Sequence, residues 1–117
     1  MHITIQVNVS PYTNEDIDTA IHLAQVLMNR GHKISIFLFA DSVIATNKLI
    51  KPMKIDRKIP SKLQELSDKE VEIHICGLCA QYRGVTEDMK IEGADFSGVP
   101  EMAALIYKSD RYINLLP

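Results

Sequence analysis

Val71-Glu72-Ile73-His74-Ile75 runs directly into Cys76-Gly77-Leu78-Cys79-Ala80-Gln81-Tyr82-Arg83-Gly84. The first five residues alternate apolar and polar side chains, the period-two pattern of a strand. The block after them suits a short helix over about 78–83. A strand that ends where a helix begins is the repeating unit of an α/β fold, and a cysteine sits at the junction.

The same unit recurs on both sides of this stretch. Residues 3–9 alternate and read as a first strand, broken by Ser10-Pro11-Tyr12. Thr13 reads as an N-cap, with Asn14, Glu15 and Asp16 where the helix dipole favours carboxylates. Ile17, Ala20, Ile21, Ala24, Leu27 and Met28 then fall at helical spacing, and Gly31 marks the stop. Residues 33–40 form a second strand whose nearly unbroken apolar run implies burial on both faces. Asp41 and Ser42 are expected to cap a short helix over 42–50. An irregular connection follows over 51–60, with two prolines and four basic residues. Ser61 and Gln64 fit a capping box for a helix to about Ser67. Downstream, residues 84–99 read as loop with a brief extended piece. Pro100 opens a last helix to about Lys108, and residues 111–116 close the chain as a strand. Strands alternating with helices predict an α/β fold: a mainly parallel sheet of four to five strands with helices on both faces, in one domain over 1–117.

Bulk composition narrows the function classes. A chain of 117 residues that is 46% hydrophobic and 24% charged buries a core without staples. Thirteen basic against fifteen acidic residues give a net charge of −2, so no nucleic-acid partner is expected. No apolar run approaches the ~20 residues that span a bilayer, so no membrane partner is expected. Met1-His2-Ile3-Thr4 lacks a secretory pattern, and a cytoplasmic location is expected. Two cysteines three apart are too few for a disulfide framework; in a reducing compartment such spacing points to metal binding or catalysis.

Functional groups of open α/β sheets gather beyond the carboxyl ends of the strands. Cys76, the segment from Asn8 to Tyr12, and Asp41-Ser42 all fall at that edge. A free thiol titrates near ~8.5, and a helix start or a nearby cation lowers it to roughly 3.5–7.5. Cys76 and Cys79 straddle the expected helix start, Arg83 lies one turn beyond Cys79, and strand alternation puts His74 on the face of Cys76. Plainer readings stand beside these: both cysteines as small buried apolar residues, and His74 as a strand residue satisfied by a neighbour or a subunit contact. A metal is disfavoured, because one C-x-x-C supplies two ligands and His2, His22, His32 and His74 show no paired-ligand spacing. A thioredoxin-like dithiol stays open, although the motif arrives after two complete β-α units. No glycine-rich nucleotide motif is present. The basic segment Lys51 to Lys58 reads as a solvated loop or as a surface for an acidic partner.

Several pieces, in order, carry a family resemblance: Ser10-Pro11-Tyr12 after the first strand, Arg30-Gly31-His32 leading to Phe37-Leu38-Phe39, Asp41-Ser42-Val43, Cys76-Gly77-Leu78-Cys79 with Arg83-Gly84-Val85, Ile91-Glu92-Gly93-Ala94, and Ser109-Asp110-Arg111. Together they resemble the DsrE/TusD-like sulfur-relay proteins over nearly the whole chain, most closely the small YchN-like members with a C-x-x-C. The resemblance implies a three-layer α/β/α fold assembled as a homo-oligomer, trimer or hexamer. It implies a persulfide on Cys76, passed between sulfur donor and acceptor proteins, with no cofactor because the sulfur rides on the protein. Cys79 is then accessory, and Arg83, Gly84, His74, Tyr12 and Asp41 are supporting candidates. Two other classes are carried forward: a non-catalytic homo-oligomeric binding or scaffold protein, and a dithiol redox protein.

Overall fold

The alternating segments become a five-stranded, all-parallel sheet in the computed structural model, which describes residues 1–54 and 56–116. Ile55, within the connection expected over 51–60, and Pro117 lie outside the described residues. The strands are β1 (His2–Val7), β2 (Lys33–Leu38), β3 (Glu72–Cys76), β4 (Ala94–Ser97) and β5 (Arg111–Leu115), in the order β4-β3-β2-β1-β5. The brief extended piece expected within 84–99 is therefore a full edge strand.

Register explains the apolar pattern. Ile3, Ile5 and Val7 lie beside Ile34, Ile36 and Leu38, and the row continues through Ile73 and Ile75 to Ala94. All are buried. This face is covered by α1 (Asp16–Asn29), through Ile17, Ala20, Ile21 and Ala24, and by α2 (Ile59–Asp68), through Ile59, Leu63 and Leu66. The chain steps from β1 to β4 in one direction, then returns past three strands to place β5 beyond β1. A right-handed return puts α4 (Val99–Lys108) on the opposite face. There Ser109, just past α4, bonds Thr4 on β1, hydroxyl to hydroxyl at 2.5 Å.

The face under α4 is polar where the other is apolar. Tyr112 donates to the Gln6 side chain, and Ser35 stands between His2 (2.8 Å) and Glu72 (3.1 Å). Lys33 pairs with Glu72 at 3.1 Å. Burial pushes the Glu72 carboxyl up, but hydrogen bonds from Lys33, Ser35 and His74 outweigh it and hold the group below its ordinary range. Phe37, wholly buried, is the large apolar side chain on this face.

Three helix boundaries differ from the sequence pattern, each for a local reason. Thr13 is not the N-cap. Its N–H bonds the Pro11 carbonyl in a turn where Tyr12 takes φ 69°, so α1 begins at Asp16 behind Glu15. The segment after β2 is a 3-10 helix over Ala40–Thr46 rather than a helix over 42–50. Its Ser42 hydroxyl donates to the Val7 and Phe39 carbonyls, and Thr46 to that of Val43. Finally, Ser61 and Gln64 do not form a capping box. Pro60, pre-set for a first turn, moves the N-cap three residues earlier, to Lys58, and Gln64 donates to Asp68 instead.

Helix ends are more uniform. After α1, the Gly31 and His32 N–H groups bond the Met28 and Leu27 carbonyls, with Gly31 at φ 88°. This is the Schellman closure. After α2 the same pair of bonds runs from Glu70 and Val71 to Ser67 and Leu66, but with Glu70 at φ 72°. A left-handed conformation costs an L-residue about 1–2 kcal/mol, part of which glycine gives back as unfolded-chain entropy. Glu70→Gly is therefore expected to stabilise the protein by about 0.5–1 kcal/mol and raise the melting temperature by a few degrees. Thermal unfolding followed by circular dichroism checks this; a lower midpoint would refute it.

Candidate functional site

Cys76 is the last residue of β3 and the N-cap of α3 (Gly77–Tyr82). Its sulfur takes the place of a capping hydroxyl, accepting the Cys79 N–H at 3.4 Å. That position, the third of the helix, is the one a serine or aspartate cap would serve. Both cysteines are free thiols. Burial pushes the Cys79 thiol up and the neighbouring Cys76 pushes it further, against opposing effects of the Ala40 backbone and the Arg83 charge. At neutral pH Cys79 thus keeps its proton, and the donor that meets the Cys76 sulfur is the Cys79 backbone N–H.

The strand-end position puts Cys76 at the carboxyl edge of the sheet, where an accessible thiol is expected. The structure buries it: Cys76 is 4% exposed, and Cys79 is the more open of the two. Exposed apolar side chains lie near them, with Leu78 and Tyr82 on α3 and Phe96 on the neighbouring strand β4. A cavity of about 390 Å³ runs along α3, lined by Gly77, Gln81, Gly84 and Phe96 among others; neither sulfur lines it.

The supporting candidates divide into two groups. Arg83 and Asp41 join the thiols. Arg83 Nε donates to Asp41 Oδ1 at 2.7 Å and its Nη1 to the Cys79 carbonyl at 3.1 Å, clamping the short helix to the segment after β2. Such an exposed ion pair is worth about 0–1 kcal/mol of stability, so its effect is positional. Gly84, at φ 69°, ends α3 by bonding Gln81 while the buried Val85 bonds Ala80, again a Schellman closure that needs the glycine.

His74 and Tyr12 are engaged elsewhere. The His74 ring stacks on Phe37 (centroids 6.0 Å apart, planes at 10°), with Nδ1 2.9 Å from the Ser97 hydroxyl and Nε2 3.5 Å from Glu72. The plainer reading of His74, a strand residue satisfied by neighbours, is what this geometry supports. Tyr12 packs under Arg57, whose guanidinium lies 5.4 Å from the ring centroid and also grips the Tyr12 carbonyl and Asp18. The expected convergence of three segments is partial. Asp41 reaches the thiols through Arg83, whereas Asn8 bonds Asn114 and the Leu115 carbonyl on β5.

Ala40 is the site residue that pattern reading missed. It sits at φ 51° beside Asp41, and its backbone acts to lower the Cys79 thiol against burial. An alanine in left-handed conformation leaves no mark in a sequence. Two substitutions probe this electrostatic arrangement. The titration of Cys79 is expected to move down in Cys76→Ser, which removes the neighbouring sulfur, and up in Arg83→Gln, which removes the cation. The pH dependence of alkylation, read by mass spectrometry of the peptide carrying residue 79, measures both. Equal midpoints in the two variants would contradict the coupling.

Among the described residues, no group of three or more His, Cys, Asp or Glu side chains is arranged to hold a metal ion. No helix among them is long and apolar enough to cross a membrane.

A parallel α/β sheet with a C-x-x-C capping a short helix at the carboxyl end of its third strand defines a recognisable class. The chain belongs to the DsrE/DsrF-like family, whose model matches residues 1–115. It is 32% identical over 127 aligned positions to sulfurtransferase TusD of Buchnera aphidicola subsp. Schizaphis graminum, covering 97% of this chain and 99% of that protein. It is 30% identical over 90 residues to the putative sulfurtransferase DsrE of Allochromatium vinosum, covering 75% of this chain and 69% of the relative. The crystal structure of YchN from E. coli superposes with a TM-score of 0.91 at 25% identity, over 98% of this chain and 99% of that one. Relatives named as sulfurtransferases support a sulfur-relay role for the family.

Proposed function

We propose that this protein is a sulfur carrier that accepts sulfane sulfur on Cys76 as a persulfide and passes it on. The observation that carries the reading is the place of Cys76, the last residue of β3 and the N-cap of α3, where its sulfur accepts the Cys79 N–H. The same helix-start N–H is placed to hold the outer sulfur anion of a persulfide.

The transfer balances without an external oxidant or reductant. The Cys76 thiolate attacks the outer sulfur of a donor persulfide; a new S–S bond forms, the donor's S–S bond breaks, and the donor leaves as a thiolate. An acceptor thiolate then attacks the outer sulfur on Cys76 and releases the Cys76 thiolate. Burial of Cys76 shields a loaded sulfur from adventitious thiols. Exposed Leu78, Tyr82 and Phe96 give partner proteins, donor or acceptor, an apolar surface beside it. Free thiols suit a reducing compartment, the cytoplasm. Exposed Val99, Ile106 and Tyr107 on α4 suit assembly of the single domain into a homo-oligomer.

The C-x-x-C spacing, with the Cys79 N–H on the Cys76 sulfur, also favours a second reading, dithiol exchange. In it Cys79 attacks the Cys76 sulfur of the persulfide, expels hydrosulfide and leaves a Cys76–Cys79 disulfide, which an external thiol must reduce. Intact mass of the native protein after exposure to a sulfane-sulfur donor separates the two. Gain of one sulfur, reversed by reductant, is the carrier; loss of two hydrogens is the dithiol. An unchanged mass refutes both.

A further inference from the structure

Charge is unevenly spread along this chain. Six of the thirteen basic residues, but one of the fifteen acidic ones, fall within residues 48–62. That segment borders a cavity of about 600 Å³, within the size range of dedicated binding pockets. Ile50, Pro52, Pro60 and Ile91 make the apolar part of its wall. Lys48, Lys51 and Lys58 stand around it, all exposed and in no ion pair among the described residues; the acidic lining residue is Glu92.

The rim is held in place. The Lys48 N–H bonds the Met89 carbonyl at 2.8 Å, and Asn47 bridges to Lys90. At the other end Arg57 is tied to Asp18 and to the Tyr12 carbonyl, next to Lys58. Three like charges around one cavity repel each other, and an anionic occupant relieves that repulsion.

We infer that this groove docks a short acidic segment of a partner protein, in extended form, with carboxylates on the lysine rim and alternate apolar side chains against Ile50, Pro52, Pro60 and Ile91. Extended backbone sends successive side chains to opposite sides, which matches a cationic rim over an apolar wall. No aromatic side chain lines the cavity to stack a base, which disfavours a nucleotide. The groove is separate from the thiols, since neither cysteine lines it, and the inference does not depend on the sulfur-carrier reading.

The test is a titration of the full chain, isotopically labelled for NMR, with an octapeptide of alternating Glu and Leu. A Lys/Leu octapeptide and inorganic phosphate serve as controls. Saturable shifts of the Lys48, Ile50, Gln64 and Ile91 signals with the acidic peptide alone are expected, weakening as salt rises. The triple variant K48E/K51E/K58E, altered only at exposed positions, should fold normally and bind about tenfold or more weakly. The inference is overturned if phosphate alone reproduces the shifts, if the basic peptide binds equally, if the acidic peptide moves none of these signals, or if the triple variant binds like wild type. Sulfur loading from a small-molecule donor, measured on the same variant, keeps the groove and the thiol readings separately testable.

Discussion

Cys76→Ser loses sulfur loading to background, while Cys79→Ser still loads to within several-fold of wild type. The reason lies in what each substitution leaves behind. Serine at 76 keeps an oxygen in the capping position, a better cap than a thiol, so the start of α3 survives and a failure to load is chemical rather than structural. Its hydroxyl has no ionised form near neutral pH and cannot hold a sulfane sulfur. Serine at 79 removes one thiol but keeps the backbone N–H that meets the Cys76 sulfur, so the acceptor persists. Mass spectrometry of the three proteins after donor exposure, with and without reductant, reads the outcome directly. Loading that survives in Cys76→Ser and vanishes in Cys79→Ser would move the carrier to the more exposed thiol. No loading in any of them, under conditions that load a known carrier, would leave a binding or scaffold protein with structural cysteines.

Phe37→Ala should cost about 3–5 kcal/mol, the range for emptying a buried aromatic site. Total stability of a domain this size is about 5–15 kcal/mol, so the loss takes a large share of it and lowers the melting temperature by roughly ten degrees or more. Phe37 is fully buried in the strand at the middle of the sheet. It lies against Phe39, with centroids 6.1 Å apart, and beneath the stacked His74 ring. Its loss opens a hole under a polar network of Glu72, His74 and Ser97, whose hydrogen bonds hold those side chains where they are. Phe37→Leu keeps most of the volume and should cost about 1 kcal/mol. Chemical denaturation of the three proteins gives both differences. A loss below about 1 kcal/mol for the alanine variant would show that the polar face, not this ring, holds the second layer together.

Much of the fold was legible because its signals are local. Alternation in residues 3–9 and 71–75, helical spacing from Ile17 to Met28, and glycines at 31 and 84 each describe a few neighbouring residues, and backbone sterics decide them. The errors came where two local solutions compete. Thr13 and Ser61 are both good caps by type, yet a turn through Tyr12 displaces the first and Pro60 pre-empts the second. At the site, the C-x-x-C at a strand end and the Arg-Gly step one turn later were readable as spacing.

Chain order therefore determined an α/β protein with parallel strands, the boundaries of its elements to within a few residues, and a pair of cysteines where strand meets helix. Those features depend on periodicity and on the steric preferences of single residues. Only the tertiary structure decided that Cys76 is buried, that Arg83 reaches across to Asp41, that His74 is spent on Phe37, Ser97 and Glu72, and that three lysines ring one cavity. Each of these joins residues brought together by the strand order β4-β3-β2-β1-β5 and by helices packed across it. Such contacts arise from the closing of long loops around a shared core, and no pattern of neighbouring residues encodes them.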